Sequence, residues 1–254
     1  MIEFLSPVSK KVIAHREVLS EGVLGKEIVI HQHHGNLPDL KGVSFALFGV
    51  KENRGDVNYM GGDVDFIEVR KALYGLFPGN WSQAIVDLGN IEKGERLEDT
   101  YFALTTVTAA LLAKGVIPII LGGSQDLLYA HYRSYDEVRK MINLVNVDQR
   151  FDLGDADKAM NNKSYVGKII VHEPYNLFNY SLLGYQSYFN PPGEISLMDK
   201  LYFDAYRLGK VTEDVTEVEP IMRNADLVAI DVSAIKAGEL SYHCLLYTSP
   251  SPRD

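Results

Sequence analysis

Asn143-Leu144-Val145-Asn146-Val147-Asp148-Gln149-Arg150-Phe151-Asp152 is the stretch on which the fold turns. It opens as a buried strand and closes on two carboxylates with an arginine between them. An α/β sheet delivers its polar chemistry in this way, at the carboxyl ends of parallel strands. Two other apolar runs end alike. Residues 116–121 lead into Gly122-Gly123-Ser124-Gln125-Asp126, and Leu227–Ile230 leads into Asp231-Val232-Ser233. The pattern predicts that the three ends meet at one site.

Working outward, apolar runs predict further strands over 43–50, 84–88 and 168–172, with the last extending over 227–232. Apolar spacing near 3.6 predicts helices over 66–76, 97–114, 127–135 with an extension to 141, 197–208 and 220–224. Strands alternating with helices imply an α/β protein: a three-layer α/β/α sandwich with a mostly parallel sheet. Pro118 lacks a ladder donor, so its strand is expected to pair on one side only there, or to pair late.

Composition narrows the function classes. The chain has 254 residues, 46% hydrophobic and 23% charged, with a net charge of -9. No basic stripe is present to neutralise phosphates, which argues against a nucleic-acid partner. No apolar run reaches the roughly 20 residues of a membrane span, and the N-terminus lacks a signal-peptide pattern. A single cysteine fits a reducing, cytoplasmic setting.

Cys244-Leu245-Leu246-Tyr247-Thr248-Ser249-Pro250-Ser251-Pro252-Arg253-Asp254 breaks the preceding pattern and resembles the translation of a common transposase sequencing adapter. The expectation is therefore one α/β domain over 1–243, truncated at its C-terminal end, and a non-native tail over 244–254. Near the other end, His31-Gln32-His33-His34 precedes the turn-rich Gly35-Asn36-Leu37-Pro38. Its spacing puts no shared helical face behind the three rings, so it reads as a surface loop in preference to a metal site.

The chemistry can first be taken from residue types alone. Asp148, Asp152 and Asp231 would repel if they converge. Two unit charges about 4 Å apart cost ~4 kcal/mol at an effective dielectric of 20. A cation, a proton or separation must resolve this. With the Gln125 amide carbonyl, the set is all oxygen and suits Mg²⁺, Mn²⁺ or Ca²⁺ better than Zn²⁺. The alternative is that each aspartate merely caps or turns the chain locally. Asp126 is expected to cap the helix that follows it.

The three stretches, in order and in strand context, resemble the ureohydrolase family: arginase, agmatinase and formimidoylglutamase. That family carries G-G-D-H-S, D-A-H-x-D and D-x-D-x-x-D-P at strand ends. The loop with Gly49-Val50, Arg54-Gly55, Asn58 and Gly61-Gly62 resembles the family's substrate-side loop. The resemblance implies an arginase-like fold and a pair of Mn²⁺ ions bridged by hydroxide. It also implies hydrolysis of a C–N bond in a linear amidine, either guanidino or formimino, and a homo-oligomer.

The resemblance places Gln125, Asp148, Asp152 and Asp231 at metal-ligand positions. Arg150 stands where a second histidine is expected, and Ser233 replaces the last aspartate. Arginine has donors only and cannot ligate a metal. The expectation is therefore at most one ion, Mn²⁺ or another hard divalent cation, with the Arg150 guanidinium paired to Asp148 and Asp231 in place of the second. His172, closing the expected strand over 168–172, is the candidate general acid/base. Three functions stay open: an amidine hydrolase with altered metal use, a catalytically silent scaffold of the same fold, or an unrelated small-molecule binder.

Overall fold

A computed structural model describes residues 1–80, 84–138, 140–155 and 157–235. The tail over 244–254 and the end of the third family-like motif at Lys236 lie outside the described residues. Among those described, no helix is long and apolar enough to cross a membrane. The chain divides into two compact units. The first is residues 1–139 with 159–162, and the second is residues 140–158 with those from 163 onward.

The first unit runs β1 (Leu5–Ser6), α1 (Lys10–Glu17), α2 (Leu24–Glu27), β2 (Val29–Ile30), β3 (Phe45–Val50), α3 (Ile67–Tyr74), β4 (Ile85–Ile91), α4 (Leu97–Leu112), β5 (Ile117–Leu121), α5 (Leu127–Arg133) and α6 (Tyr135–Val138). Its sheet order is β1-β4-β3-β5, with β2 also on β4, and all pairs are parallel except β1 with β4. One face buries Phe48, Val86 and Leu88 against Leu104, Val107 and Leu111 of α4. A second cluster joins Ile30, Val12 of α1 and Tyr74 of α3. Burial on both faces is why β3 reads as a continuous apolar run. Pro118 pairs with Ala46 of β3, and among the described residues β5 pairs with β3 alone, so the missing N–H breaks no second ladder there.

A charged knot sits inside this unit. Arg70, 2% exposed, donates to both carboxylate oxygens of fully buried Asp87 at 2.7 and 3.1 Å, to Asn90 Oδ1 and to the Gly89 carbonyl. Tyr74 donates to the same carboxylate. The knot holds β4 where Gly89 takes φ +85 and passes so close to Ser6 that a Cβ would lie 1.9 Å from its carbonyl oxygen.

The second unit runs β6 (Ile142–Val147), α7 (Tyr165–Val171), β7 (Leu177–Tyr185), α8 (Pro192–Lys200), β8 (Asp204–Arg207), α9 (Leu208–Glu213), α10 (Val218–Arg223) and β9 (Leu227–Ile230). The sheet order is β8-β7-β6-β9, parallel throughout.

Three expectations are corrected here. Residues 168–172 are not a strand. Residues 168–171 belong to α7, which buries Tyr165, Val166 and Ile169 on one helical face, and His172 follows as its C-cap. Gly167 lets that helix close onto the preceding loop, since a Cβ there would lie 2.1 Å from the Leu153 carbonyl oxygen. The next strand is instead β7, whose Asn179 and Ser181 interrupt the apolar signal. The expected helix over 197–208 stops at Lys200, turns through Tyr202 at φ +56, and becomes β8 because β7 offers an edge to pair with. His31 is not on a surface loop. It is fully buried, with its ring nitrogens 3.0 and 2.8 Å from the carbonyls of Leu88 and His33.

Candidate functional site

The second unit brings the three aspartates together through strand register. Val147 of β6 pairs with Ile230 of β9, so Asp148 and Asp231 are the next residues on adjacent parallel strands. Neighbouring strands lie about 4.8 Å apart. Asp148 stays on the ladder by donating its N–H to the Leu183 carbonyl at 3.1 Å, and Asp231 does the same to Val147 at 3.0 Å. Asp152 returns to Asp148 because the chain turns sharply, with Asp152 itself at φ +52, a left-handed conformation that aspartate tolerates better than most residues.

The electrostatics follow from that convergence. Asp148 is 2% exposed and Asp152 6%. Burial, then the negative charge of Asp231, pushes the Asp148 carboxyl up to about 6 from an ordinary 3.8. Burial, then the charge of Asp148, raises Asp152 well above its ordinary value. Asp148 Oδ1 accepts the Arg150 N–H at 3.0 Å, while its buried Oδ2 has no donor. A proton on Asp152 would bridge to Asp148. The pair therefore calls for either a proton or a cation.

Arg150 does not supply that cation. The expectation that its guanidinium pairs with Asp148 and Asp231 is corrected: Nη1 donates to the Phe189 carbonyl at 2.8 Å, and the guanidinium lies 5.0 Å over the Phe189 ring. It acts on Asp152 and on Glu194 only by lowering their pKa through space. Half-buried and held on Phe189, it keeps its charge out of direct contact with the carboxylates.

His172 is not brought to this site. It follows α7 as an exposed residue at the helix C-terminus. The start of α7 is tied to the carboxylate loop by the Val166 N–H on the Asp152 carbonyl. Seven residues at about 1.5 Å each carry the far end ~10 Å away. The strand that would have placed His172 beside the aspartates does not exist.

Gln125 lies in the first unit, after β5, where its carbonyl accepts the Leu128 N–H at the start of α5. The Gly122-Gly123 turn before it packs on the loop after β3. Ser124 N–H donates to the Glu52 carbonyl at 3.0 Å, and a Cβ on Gly123 would sit 1.8 Å from that oxygen. Glu52 is buried and gripped by Arg54 at 2.6 and 2.9 Å and by Thr100 at 2.8 Å. Asp126 makes no side-chain cap to α5, contrary to expectation. It accepts the Tyr101 hydroxyl instead, and burial raises its carboxyl. Gly55 is required there, because a Cβ would strike the Asp126 carboxylate.

The donor chemistry fits a hard divalent cation: clustered carboxylates, two of them buried and raised, and one oxygen lacking any donor. The arrangement is only partly ready. Among the described residues, no group of three His, Cys, Asp or Glu side chains is placed to hold an ion. Asp231 spends Oδ1 on the Ser233 N–H at 2.6 Å, which also shows what Ser233 contributes: a turn.

One residue had no signal in the sequence. Asn190 accepts the Phe151 N–H and donates to the carbonyls of Gln149 and Gln186, so it grips the loop that carries the aspartates. A lone asparagine before two prolines does not announce such a role.

Comparisons with known proteins agree with this architecture. The family model described as the arginase family matches residues 46–236. A formimidoylglutamase from Hahella chejuensis is 29% identical over 161 residues, covering 60% of this chain and 48% of that protein. The chain thus spans about half the length of the curated relatives it matches. Among solved structures, the Trypanosoma cruzi formiminoglutamase with Mn²⁺ superposes with a TM-score of 0.62 at 16% identity, over 74% of this chain and 72% of that one. The agmatine ureohydrolase of Thermoplasma volcanium gives 0.61 at 18%, over 86% and 73%. At such identities these likenesses establish the fold.

Proposed function

The chain belongs to the arginase family, and on that premise we propose that it is a formimidoylglutamase-like hydrolase of C–N bonds in linear amidines, using at most one divalent ion. The observation that carries the proposal is the register of β6 with β9, which sets Asp148 beside Asp231 and leaves a buried Asp148 oxygen without a donor. Asp148, Asp152 and Asp231 are the proposed protein ligands. Gln125, in the first unit, matches a ligand position by family resemblance alone and is left out of this set. Mn²⁺ is the ion of choice, since one similar solved structure is described with it. A cytoplasmic location and assembly into a homo-oligomer belong to the same proposal.

Bound there, a divalent ion would lower the pKa of a water and polarise an amidine nitrogen. The chain's own residues supply the rest. In the metal-free chain burial keeps both carboxyls raised, so the Asp148–Asp152 pair holds a proton that an arriving ion would displace. Arg150 draws Asp152 back toward ionisation without occupying the site. Phe151, in the same loop, and Tyr180, which feels the charges of both carboxylates, are fully buried.

A second reading has its own support. The absence, among the described residues, of a ready three-ligand group favours a silent scaffold of the same fold. Metal analysis after dialysis against Mn²⁺, with formamide and urea release measured on formiminoglutamate, arginine and agmatine, separates the two. One bound ion with formamide release supports the proposal. No ion and no release supports the scaffold, and two ions would refute the reduced site.

A further inference from the structure

The carboxylate loop is pinned at every residue before any ion is bound. Asp148 N–H is on Leu183, and the Gln149 carbonyl accepts from the Gln186 N–H at 3.1 Å and from Asn190 Nδ2 at 2.9 Å. Arg150 is held on the Phe189 carbonyl and ring. Phe151 N–H donates to Asn190 Oδ1 at 2.8 Å, and its ring packs 5.0 Å from that of Tyr185. The Asp152 carbonyl takes the Val166 N–H at 3.2 Å.

Asn190 makes two of these bonds and, with the same amide, a third at 2.8 Å to the Gln186 carbonyl, and is 6% exposed. It therefore ties two backbone positions of the carboxylate loop to the segment that follows β7. A left-handed aspartate and a pair of repelling carboxylates both push this loop to relax. Something must oppose that relaxation, and Arg150, turned onto Phe189, does so only from the outside.

We propose that Asn190 is a positioning residue that holds Asp148 and Asp152 as a preformed pair, so that the loop reaches its ion-binding shape without the ion. The inference rests on the proposed metal reading for its consequence, but its geometry stands without metal. Outer-shell partners of metal ligands are worth 10- to 100-fold in affinity, and that is the scale on which Asn190 acts here.

The test uses the full chain, Mn²⁺ alone as probe, and two variants. Asn190→Ala removes all three bonds. Asn190→Asp keeps an acceptor for Phe151 N–H and removes the two donated bonds, with almost no change of volume. Amide exchange in chelator should show Phe151 N–H protected in the parent, still protected in Asn190→Asp, and at least about 10-fold faster in Asn190→Ala. Core amides such as Leu144 and Leu182 should stay unchanged. A merely structural residue would move all of them together. Mn²⁺ affinity by paramagnetic resonance titration should fall about 10-fold or more in both variants.

If Asn190→Ala does not fold, Asn190→Asp decides alone through its Mn²⁺ affinity and its unchanged Phe151 protection. Protection of Phe151 in the parent only when Mn²⁺ is present would overturn the proposal, as would unchanged Mn²⁺ affinity in both variants. A parent that binds no Mn²⁺ refutes the metal reading, while the exchange arm still passes or fails Asn190 independently.

Discussion

Replacing Asp148 by asparagine is expected to stabilise the metal-free chain at neutral pH. Asp148 is 2% exposed, and its carboxyl is pushed up to about 6 from 3.8, by burial first and by Asp231 second. A carboxyl raised in the folded state binds its proton more tightly there than in the unfolded chain. Its contribution is therefore complete below the unfolded value and is lost as pH rises toward the folded one. A rise of that size is worth a few kcal/mol at most, and the part lost between pH 5 and pH 7.5 is on the order of 1 kcal/mol. Asparagine has the same shape, can still accept the Arg150 N–H, and can donate to Asp152. Urea unfolding of parent and Asp148→Asn in chelator, at about pH 5 and about pH 7.5, measures the difference directly. Comparing the two proteins cancels the titrating groups remote from Asp148; Asp152, raised in part by the Asp148 charge, is less raised in the variant, which moves the difference in the same direction. The variant should lose on the order of 1 kcal/mol less than the parent over that interval and be the more stable protein at the upper pH. Mn²⁺ should reverse the order, because only the parent gains by binding, by about 2.7 kcal/mol at a hundred times its dissociation constant. Equal pH dependence in the two proteins, or a variant less stable at the upper pH without metal, would refute the reasoning that the convergence of these aspartates is a cost awaiting a cation.

Arg150→Met should leave the Mn²⁺ stoichiometry unchanged, since the guanidinium is on Phe189 and not on the carboxylates; a second ion in the variant, counted by metal analysis, would show that Arg150 had been standing in for it. Arg70→Met should cost about 3–5 kcal/mol in urea unfolding, because it strands a fully buried Asp87 charge; a loss below 1 kcal/mol would mean that Tyr74 and the Gly89 N–H suffice for that carboxylate. Gly167→Ala sets a helix-propensity gain of about 1 kcal/mol against a Cβ 2.1 Å from a backbone oxygen, and overpacking of about 1–3 kcal/mol should win; a stabilised variant by thermal unfolding would contradict the close approach of α7 to Leu153.

Several features were legible because they depend on local pattern. Alternating strands and helices, the long α4, the strand that becomes β6 and the one-sided pairing of Pro118 all follow from residue type and spacing. The errors share a cause. Residues 168–172 carry β-branched side chains that read as strand, yet α7 forms because Tyr165, Val166 and Ile169 can bury one helical face over the carboxylate loop. His172 consequently closes a helix and not a strand. Strand β7 was invisible because Asn179 and Ser181 occupy positions where a core strand normally shows aliphatic residues; Asp204 accepts from both.

The sequence by itself determined the class of the protein, the family it resembles and the identity of three carboxylates at strand ends. It also determined that Arg150 cannot ligate a metal, since that is a property of guanidinium wherever it points. Only the tertiary structure decided which strand lies beside which, and hence that Asp148 and Asp231 are neighbours, because register between segments about 80 residues apart is set by packing and not by local spacing. It also decided that Arg150 turns to Phe189 and that Asn190 holds the loop. These are bonds to a segment some 40 residues downstream, whose position exists only once β7 has paired with β6.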